Sequence, residues 1–443
     1  MLPTIGVLAA IVVSFVLFTG FYTDWLWFTS VDKPQVYTIS ILTRGLLFLA
    51  FGIVMALVVL LATWIAYRTR PAFAGTTPEQ ASLERYREAI EPFKGRLLLG
   101  LTVVLGLFSG LAASGEWGRF LQWRNATPFG MTDPQFGLDV SFYTFELPFL
   151  RFLLGFAFAA TFIALALGVV VHYLFGGLRL QPKGDRATTA AQVQISITVA
   201  IFLFLKAIAY WLDRYDLVIQ SSDLAGGFTG LQYADVNAKL PALNILTFVA
   251  LLVGLLFLLN AFRRQWIIPL IGLGLMVLTS VIVGGVYPLI VQQFQVRPSE
   301  LVRERPYIER NIEATRTAYK IDDAKIEEYA GSVSPPSVEI VEASAGTINN
   351  IRLLDPAVVS PTYNQLQQIR GYYSFNSRLD VDRYDLPGGQ RGAVVAAREI
   401  NLAGIPDGQR NWTNEVAVFT HGYGFVSAYD NTAESDGTPD FFA

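Results

Sequence analysis

Seven stretches of this sequence are long and apolar enough to cross a lipid bilayer as helices. A membrane-spanning helix needs about 20 mostly apolar residues, since no water reaches the hydrocarbon core to satisfy exposed backbone groups. Only 16% of the residues are charged, below the roughly 25% typical of soluble domains. The sequence therefore predicts an α-helical multi-pass membrane bundle. Its seven predicted spans are Met1–Thr23, Gly45–Tyr67, Leu97–Gly115, Phe152–Leu178, Ala187–Leu212, Leu240–Ala261 and Gln265–Val296.

The polarity of the chain changes after Val296. Residues 1–296 contain 19 Lys and Arg against 15 Asp and Glu, whereas residues 297–443 contain 14 against 21. The second part is long enough to bury its own core, and runs such as VAVFTH and AVVAAREINL are typical of short strands. We expect a seven-helix transmembrane domain over residues 1–296 and an acidic α+β extracytoplasmic domain over residues 297–443. An amphipathic helix predicted from Pro306 would dock the exterior domain against the seventh span.

Lys and Arg are distributed unequally between alternate loops. The loops after the second, fourth and sixth spans contain eleven of them, including Lys183 and Arg186. The alternate loops, 20–43, 115–146 and 213–241, contain five. Because cytoplasmic loops carry the excess of Lys and Arg, the N-terminus is predicted to be cytoplasmic. After an odd number of spans, the second domain is predicted to be extracytoplasmic.

Residues 116–149, between the third and fourth spans, are too irregular for one helix and too apolar for a free linker. EWGRFLQWRN is typical of a short interfacial helix, with Trp117, Phe120, Leu121 and Trp123 on its apolar side. The following TPFGMTDPQFGLD contains prolines and glycines that set turns. We expect this segment to fold over the outer mouth of the bundle. It is either a cap that seals helix ends or a lid over a pathway or docking surface.

Several segments together resemble the uncharacterised protein family UPF0182. They are FYTDWLWF, TPFGMTDPQFGLDVSFY, AYWLDRY, GGVYPLIVQQFQVRPSE, PYIERNI, TINNIRLLDP and VFTHGYG. The resemblance covers nearly the whole chain and implies a large integral membrane protein of the bacterial plasma membrane with a large extracytoplasmic region. It implies no activity. Because family members are longer, it also implies that the second domain is truncated where this chain reaches DGTPDFFA.

Lys206 is the clearest charge inside a predicted span, which makes it a functional candidate. Its flexible side chain could instead reach the outer interface, with Asp213 as a partner seven positions further along the same helix face. An ion or proton relay would need a carboxylate at matching depth on another span, and the sequence shows none. Snorkelling towards Asp213 is the simpler interpretation.

The remaining candidate residues lie mostly in the second domain. His421, in THGYG, could act as a base, but no nucleophile motif accompanies it and its glycines favour a turn. His172 is expected at the cytoplasmic interface, so the two histidines cannot share a metal. Asp380, Asp382 and Asp385 offer oxygen atoms to calcium, yet their spacing excludes an EF-hand and favours a solvated acidic surface. No metal or cofactor is predicted.

Gly106 and Gly110 form a G-x-x-x-G pattern in the third span. Small residues at this spacing let helices approach closely. Packing within one bundle and association of two copies both explain the pattern.

Three classes of function remain open. The favoured one is an envelope scaffold or assembly protein that presents the exterior domain to other envelope proteins or to a second copy of itself. A second is a transporter or channel for lipid or other apolar cargo, with residues 116–149 as its outer lid. A third is a membrane-bound enzyme that acts outside the cell. The lipid bilayer is the expected partner in all three, and no basic aromatic surface predicts nucleic-acid binding.

Overall fold

The structure, a computed structural model, describes residues 2–71, 78–179, 187–221, 229–326, 328, 331, 335–348, 351–386 and 389–443. The chain divides into two compact units, unit 1 (Met1–Ala324) and unit 2 (Lys325–Ala443). The division falls after the helix Glu300–Tyr319, so this helix belongs to unit 1 rather than to the second domain predicted from residue 297. The helix also begins before Pro306, which lies inside it.

Unit 1 is built from α-helices and π-helical turns. The α-helices are α1 (Leu2–Ser30), α2 (Pro34–Arg68), α3 (Pro78–Ile90), α4 (Lys94–Gly115), α5 (Trp117–Arg124), α6 (Leu147–Leu174), α7 (Thr189–Ile219), α8 (Leu240–Arg263), α9 (Ile267–Val281), α10 (Tyr287–Val291) and α11 (Glu300–Tyr319). The π turns of unit 1 are Phe142–Glu146, Asp235–Lys239, Ile282–Val286 and Gln292–Val296. The last two connect α9, α10 and α11 into one long helical segment.

Seven helical segments in the described part of the chain are long and apolar enough to cross a membrane. They are Gly6–Ser30, Pro34–Arg68, Leu83–Gly115, Phe142–Leu174, Thr189–Ile219, Asp235–Arg263 and Ile267–Tyr319. Each overlaps one predicted span, which confirms the prediction of seven long apolar helices. The seventh continues well past its predicted end at Val296.

Helix packing in unit 1 buries small residues together with some large apolar ones and leaves many large apolar residues on the exterior. Ala200 and Ala207 of α7 and Ala250 of α8 are fully buried in a shared core, whereas Phe108 of α4 is 70% exposed. Small side chains let helix backbones approach closely. An exterior this apolar is suited to contact with lipid tails rather than water.

The G-x-x-x-G pattern of α4 packs against α2. A Cβ built on Gly106 would lie 3.2 Å from the carbonyl oxygen of Gly52, and one on Gly110 would lie 2.6 Å from that of Phe48. Neither position leaves room for a larger residue without a backbone shift. Of the two interpretations of this pattern, the structure shows close packing within one bundle.

The helix bounds in the structure change the number of basic residues assigned to the predicted outer side of the membrane. Arg44 lies in α2, where its guanidinium stacks over Trp117 of α5, and Arg151 lies in α6 close to its start. Both belong to the predicted outer side, which raises its total from five to seven against eleven. Lys183 and Arg186 lie outside the described residues. The predicted outer side still carries fewer Lys and Arg residues than the predicted cytoplasmic side, and the orientation stays a prediction.

Unit 2 contains helices and antiparallel strands, in agreement with the predicted α+β character. Its elements are α12 (Val338–Ala343), α13 (Ala345–Ile348), α14 (Ser360–Gln367), β1 (Tyr373–Ser374), β2 (Asp380–Leu386), β3 (Gly389–Ala397), β4 (Glu399–Ile400), β5 (Phe425–Ala433) and β6 (Pro439–Phe441). The larger sheet has the strand order β2-β3-β5-β6, and β1 pairs with β4. Tyr363 of α14 is buried against this sheet and donates a hydrogen bond of 2.8 Å to the carbonyl of Val394.

Candidate functional site

Three of the four π turns described in unit 1 lie around α10, at one end of the helical bundle. Phe142–Glu146 leads into α6 and Asp235–Lys239 leads into α8, while the other two interrupt the long segment that follows α9. Turns of this kind are rare and are frequent at functional sites, because they locally widen the helix. The asymmetry of Lys and Arg predicts that this end faces outside, and we call it the predicted outer end.

Two adjoining cavities lie at the predicted outer end, between α7, α8 and the segment that continues from α9. Their volumes are about 490 Å³ and about 260 Å³. Lys239 and Gly284 line both, so we treat the two as one outer cavity. The larger part is lined by Asp213, Asp216, Leu217, Ile219, Gln220, Lys239, Ala242, Leu243 and Gly284. The smaller part is lined by Gln232, Ala234, Asp235, Lys239, Gly284, Gly285, Pro288, Leu289 and Gln292.

Ion pairs fix the charged side chains around the outer cavity. The Arg151 guanidinium of α6 contacts Asp213 of α7 at 2.7 Å and also pairs with Asp216. The two aspartates are three positions apart and therefore share one helix face. Lys239 pairs with Asp235 at 2.7 Å within the π turn. These half-buried pairs hold charge inside an otherwise apolar bundle, where unpaired charges would be costly.

Two glutamine side chains that line the smaller part of the cavity have amide atoms with no hydrogen-bond partner among the described residues. Gln232 is 2% exposed and Gln292 is 5% exposed. Within the described residues, Nε2 of Gln232 and both amide atoms of Gln292 have no hydrogen-bond partner. A buried polar group without a partner costs about 1–3 kcal/mol, and such groups normally face ordered water or a ligand. The wall of the smaller part therefore includes buried amide groups whose hydrogen-bonding capacity the described residues leave unused.

Glu304 of α11 lies beside this site. Its side chain is 1% exposed, and Oε2 accepts a hydrogen bond of 3.0 Å from the backbone amide of Tyr233. Its second oxygen, Oε1, has no partner among the residues described. A second contact holds α11 against the chain before α8, since the Asn311 amide donates to the carbonyl of Thr229 at 2.7 Å.

Local sequence explains how the cavity is kept open. Asp235 begins the π turn before α8, and its carboxylate accepts a hydrogen bond of 3.0 Å from the backbone amide of Gln232. Across the cavity, the consecutive glycines Gly284 and Gly285 present no side chain. A Cβ on Gly284 would lie 3.2 Å from Leu246, while one on Gly285 would meet no atom within 4 Å. Larger residues at position 285 would therefore enter open space near the site.

The segment between α5 and α6 packs next to the outer cavity. Phe136 and Phe142 both contact the ring of Tyr215 in α7, at centroid distances of 5.0 Å and 5.2 Å. Asp139 organises the loop by accepting hydrogen bonds from the backbone amides of Phe129, Gly130 and Ser141. These donors lower the pKa of Asp139 to about 2.

Lys206 and Asp213 do not meet in the structure. The Lys206 ammonium lies 4.2 Å from the ring centroid of Tyr210, one turn further along α7, and Asp213 pairs with Arg151 instead. The predicted Asp213 partnership therefore fails, because a nearer guanidinium on α6 takes the carboxylate. Asp213 lines the outer cavity.

The histidines have different surroundings. His172, predicted at the interface, is buried, and its Nε2 lies 2.9 Å from Oε1 of Gln194. The Gln194 amide in turn donates to the carbonyl of Ala62 at 2.9 Å. His421 of unit 2 is exposed, with Nδ1 at 3.0 Å from the hydroxyl of Thr420.

Asp380, Asp382 and Asp385 lie on strand β2, and all three are exposed. Because side chains alternate along a strand, Asp385 faces away from the other two. No group of three His, Cys, Asp or Glu suited to a metal ion occurs among the residues that the structure describes. The three aspartates thus form no shared site.

Arg151, Lys239, Gln232, Gln292 and Glu304 were not among the residues predicted from sequence. One signal was present: the i, i+3 spacing of Asp213 and Asp216 beside a span calls for a basic partner. The buried glutamines had no such signal, because their lack of hydrogen-bond partners depends on the π turn that contains Gln292 and the π turn that follows Gln232.

Together, seven long apolar helices, a polar cavity at one end of the bundle and a small β-containing unit are compatible with the class of multi-pass membrane proteins. The chain belongs to the Uncharacterised protein family (UPF0182), whose model matches residues 1–443. It is 47% identical over its whole length to the UPF0182 protein SCO5204 of Streptomyces coelicolor. It is also 47% identical over its whole length to a UPF0182 protein of Frankia casuarinae, and 49% identical over 94% of its length to one of Frankia alni.

The chain spans less than half of these relatives, namely 44%, 43% and 41% of their respective lengths. No solved structure matches it.

Proposed function

We propose that this chain is the membrane-embedded part of a bacterial envelope protein that binds the headgroup of a lipid in the outer cavity. The observation that carries the proposal is the pair of buried amides, Gln232 and Gln292, lining a charged cavity inside an apolar bundle. A lipid suits such a site because its headgroup can occupy the polar cavity while its chains lie against the apolar helices.

The charges around the cavity indicate which headgroups fit. Asp213, Asp216 and Asp235 outnumber Arg151 and Lys239. A net negative site disfavours phosphate-rich, anionic headgroups and favours an ammonium group or neutral hydroxyl groups. Buried glutamine amides can both donate to and accept from such groups. We therefore propose a headgroup without net negative charge.

The proposed location is the bacterial plasma membrane, crossed seven times, with a cytoplasmic N-terminus and with unit 2 outside. The seven apolar segments support multi-pass insertion, and the excess of Lys and Arg in alternate loops supports the orientation. In this arrangement the outer cavity would open towards the outer leaflet.

A lipid-binding measurement tests the outer cavity. The purified chain is incubated with phosphatidylethanolamine or phosphatidylglycerol of identical acyl chains, and bound lipid is counted by native mass spectrometry. We expect Gln292→Leu to lower retention of phosphatidylethanolamine about tenfold, a change equivalent to 1.4 kcal/mol, because the leucine removes the hydrogen bonds and narrows the cavity.

Gln293→Leu is the matched control, since Gln293 lies in the same π turn but is exposed. It should bind phosphatidylethanolamine as the unmodified chain does. Equal retention by Gln292→Leu and the unmodified chain would mean that the cavity holds only water, and the proposal would be wrong.

A scaffold that presents unit 2 to other envelope proteins, or to a second copy of the chain, is the second candidate. It is favoured by large apolar side chains exposed on unit 2, namely Trp412, Tyr423 and Phe425, since exposed apolar groups often mark interaction surfaces. The double variant Trp412→Ser/Tyr423→Ser should then reduce the size of the complex extracted from native membranes. Trp27→Ser on the exposed face of α1 is the control, and an unchanged size for the double variant would reject this role.

A further inference from the structure

An apolar groove lies at the opposite end of the bundle from the outer cavity. It is formed by the last turns of α2 and α6 and the first turns of α4, and its volume is about 400 Å³. Its walls include Trp64 and Tyr67 of α2, Leu98 and Leu101 of α4, and Leu167 of α6. A groove of this composition between helices can hold an acyl chain.

Basic side chains contact the aromatic residues that wall this groove. The Lys94 ammonium, which lines the groove, contacts the Glu91 carboxylate at 2.5 Å and the Tyr67 hydroxyl at 2.8 Å. The Arg70 guanidinium lies 4.0 Å from the centroid of the Tyr67 ring and 5.5 Å from that of Phe175. Stacking of this kind holds a cation in place while leaving its N–H groups free to bind an anion.

The charge at the mouth of the groove is positive. Arg68 stacks over Trp64 at 5.7 Å, so three basic side chains, Arg68, Arg70 and Lys94, stack on aromatic rings of the groove, and the Glu91 carboxylate pairs with Lys94. The excess of Lys and Arg predicts that this end faces the cytoplasm, where basic pockets between helices attract anionic lipid headgroups.

We propose that this groove binds an anionic phospholipid of the cytoplasmic leaflet, with its phosphate against Arg70 and Lys94 and one acyl chain along the apolar wall. The site is independent of the outer cavity, because it lies on other helix ends and has the opposite charge. The two sites consequently favour different lipids.

The test measures retention of phosphatidylglycerol and phosphatidylcholine, matched in acyl chains, by the purified full chain in native mass spectrometry. A basic residue near a lipid surface contributes about 1 kcal/mol, or about fivefold in affinity. We expect the unmodified chain to prefer phosphatidylglycerol at least fivefold, and Arg70→Gln/Lys94→Gln to lose that preference. Arg263→Gln removes an exposed charge from the same predicted side without changing the groove, and this variant should keep the preference for phosphatidylglycerol.

A second pair of variants tests the groove itself. Cβ atoms on Gly95 and Gly100 of α4 would both meet no atom within 4 Å, but only Gly95 lines the groove. Gly95→Leu should reduce phosphatidylglycerol retention several-fold, whereas Gly100→Leu should not. The inference is overturned if both lipids bind equally to the unmodified chain, or if the double glutamine variant retains the preference. Variants at Gln292 should leave the retention of phosphatidylglycerol itself unchanged, which separates this result from the test of the outer cavity.

Discussion

Gln292 is a buried polar side chain at a position where an apolar side chain would make the fold more stable. It lies in the π turn Gln292–Val296, is buried, and lines the smaller part of the outer cavity. The described residues offer no hydrogen-bond partner to its amide. A fold selected for stability alone would place an apolar residue here, as is usual in cores. Retaining an amide there is consistent with a site selected for binding.

Gln292→Leu should therefore raise the stability of the empty protein while lowering lipid retention. The gain expected from removing an unsatisfied buried amide is about 1 kcal/mol, visible as a rise of a few degrees in the thermal unfolding midpoint of delipidated protein. Gln293→Leu should leave the midpoint unchanged because Gln293 is exposed. A lower midpoint for Gln292→Leu would show that the amide already has stabilising partners.

Asp139 gives the loop between α5 and α6 a pH dependence. Its pKa is lowered to about 2 from 3.8 by hydrogen bonds from the amides of Phe129 and Ser141 and from the Ser141 hydroxyl. A carboxyl group with a lowered folded pKa stabilises the fold fully above its unfolded pKa, and this contribution is lost as the pH falls through the folded pKa. The loop should hence loosen between about pH 4 and pH 2.

Hydrogen exchange of the Phe129 and Gly130 amides, corrected for the intrinsic effect of pH, measures this loosening. Protection should fall across that window in the unmodified chain. In the Asp139→Asn variant, the Phe129 and Gly130 amides should show low protection that does not change across this pH window. Constant protection of these amides in the unmodified chain down to pH 2 would contradict the assigned role of Asp139.

At the scale of elements, the helices were predictable and the cavity was not. Long apolar runs specify a helix through composition alone, so all seven segments overlap their predicted spans. The π turns were missed because no simple periodicity distinguishes five residues of π helix from α helix. Glu304 was missed for a related reason. Its helix was predicted to start at Pro306, whereas α11 begins at Glu300.

The contact between α2 and α4 depends on backbone approach at glycine. Gly110→Ala would place its Cβ against the carbonyl oxygen of Phe48 and force the helices apart. We expect a loss of about 1–3 kcal/mol in unfolding free energy, measured by denaturant unfolding in mixed micelles. Gly100→Ala, on the same helix with open space at its Cβ, should be neutral or slightly stabilising because alanine favours helix. Equal effects of the two variants would exclude close packing as the cause.

At the scale of the molecule, two compact units share one chain that covers less than half of its relatives. The division after Ala324 assigns α11 to the helical unit, and Glu304 and Asn311 explain this through their contacts with residues before α8. Sequence composition located the change from apolar to acidic character, but the structural division depends on tertiary contacts. Composition alone could not place the boundary between the two units.

The predicted orientation can be tested with single cysteines, since the chain contains no native cysteine. Asn125→Cys, Arg263→Cys and Trp412→Cys all occupy exposed positions. A membrane-impermeant maleimide added to intact spheroplasts should label the variants at 125 and 412, and should label the variant at 263 only after lysis. Labelling of position 263 in intact spheroplasts together with protection of 125 would reverse the assigned topology.

The π turns also make the seventh helical segment sensitive to residue number. A π turn accommodates roughly one residue more than the α turn it replaces, and each residue of an α-helix advances by about 100°. Deleting Val286 would remove that extra residue and leave an α turn, so Gln292 would still face the cavity, whereas deleting Ile290 from α10 would turn Gln292 away by about 100°. The loss of one codon should therefore be tolerated far better within Ile282–Val286 than within α10.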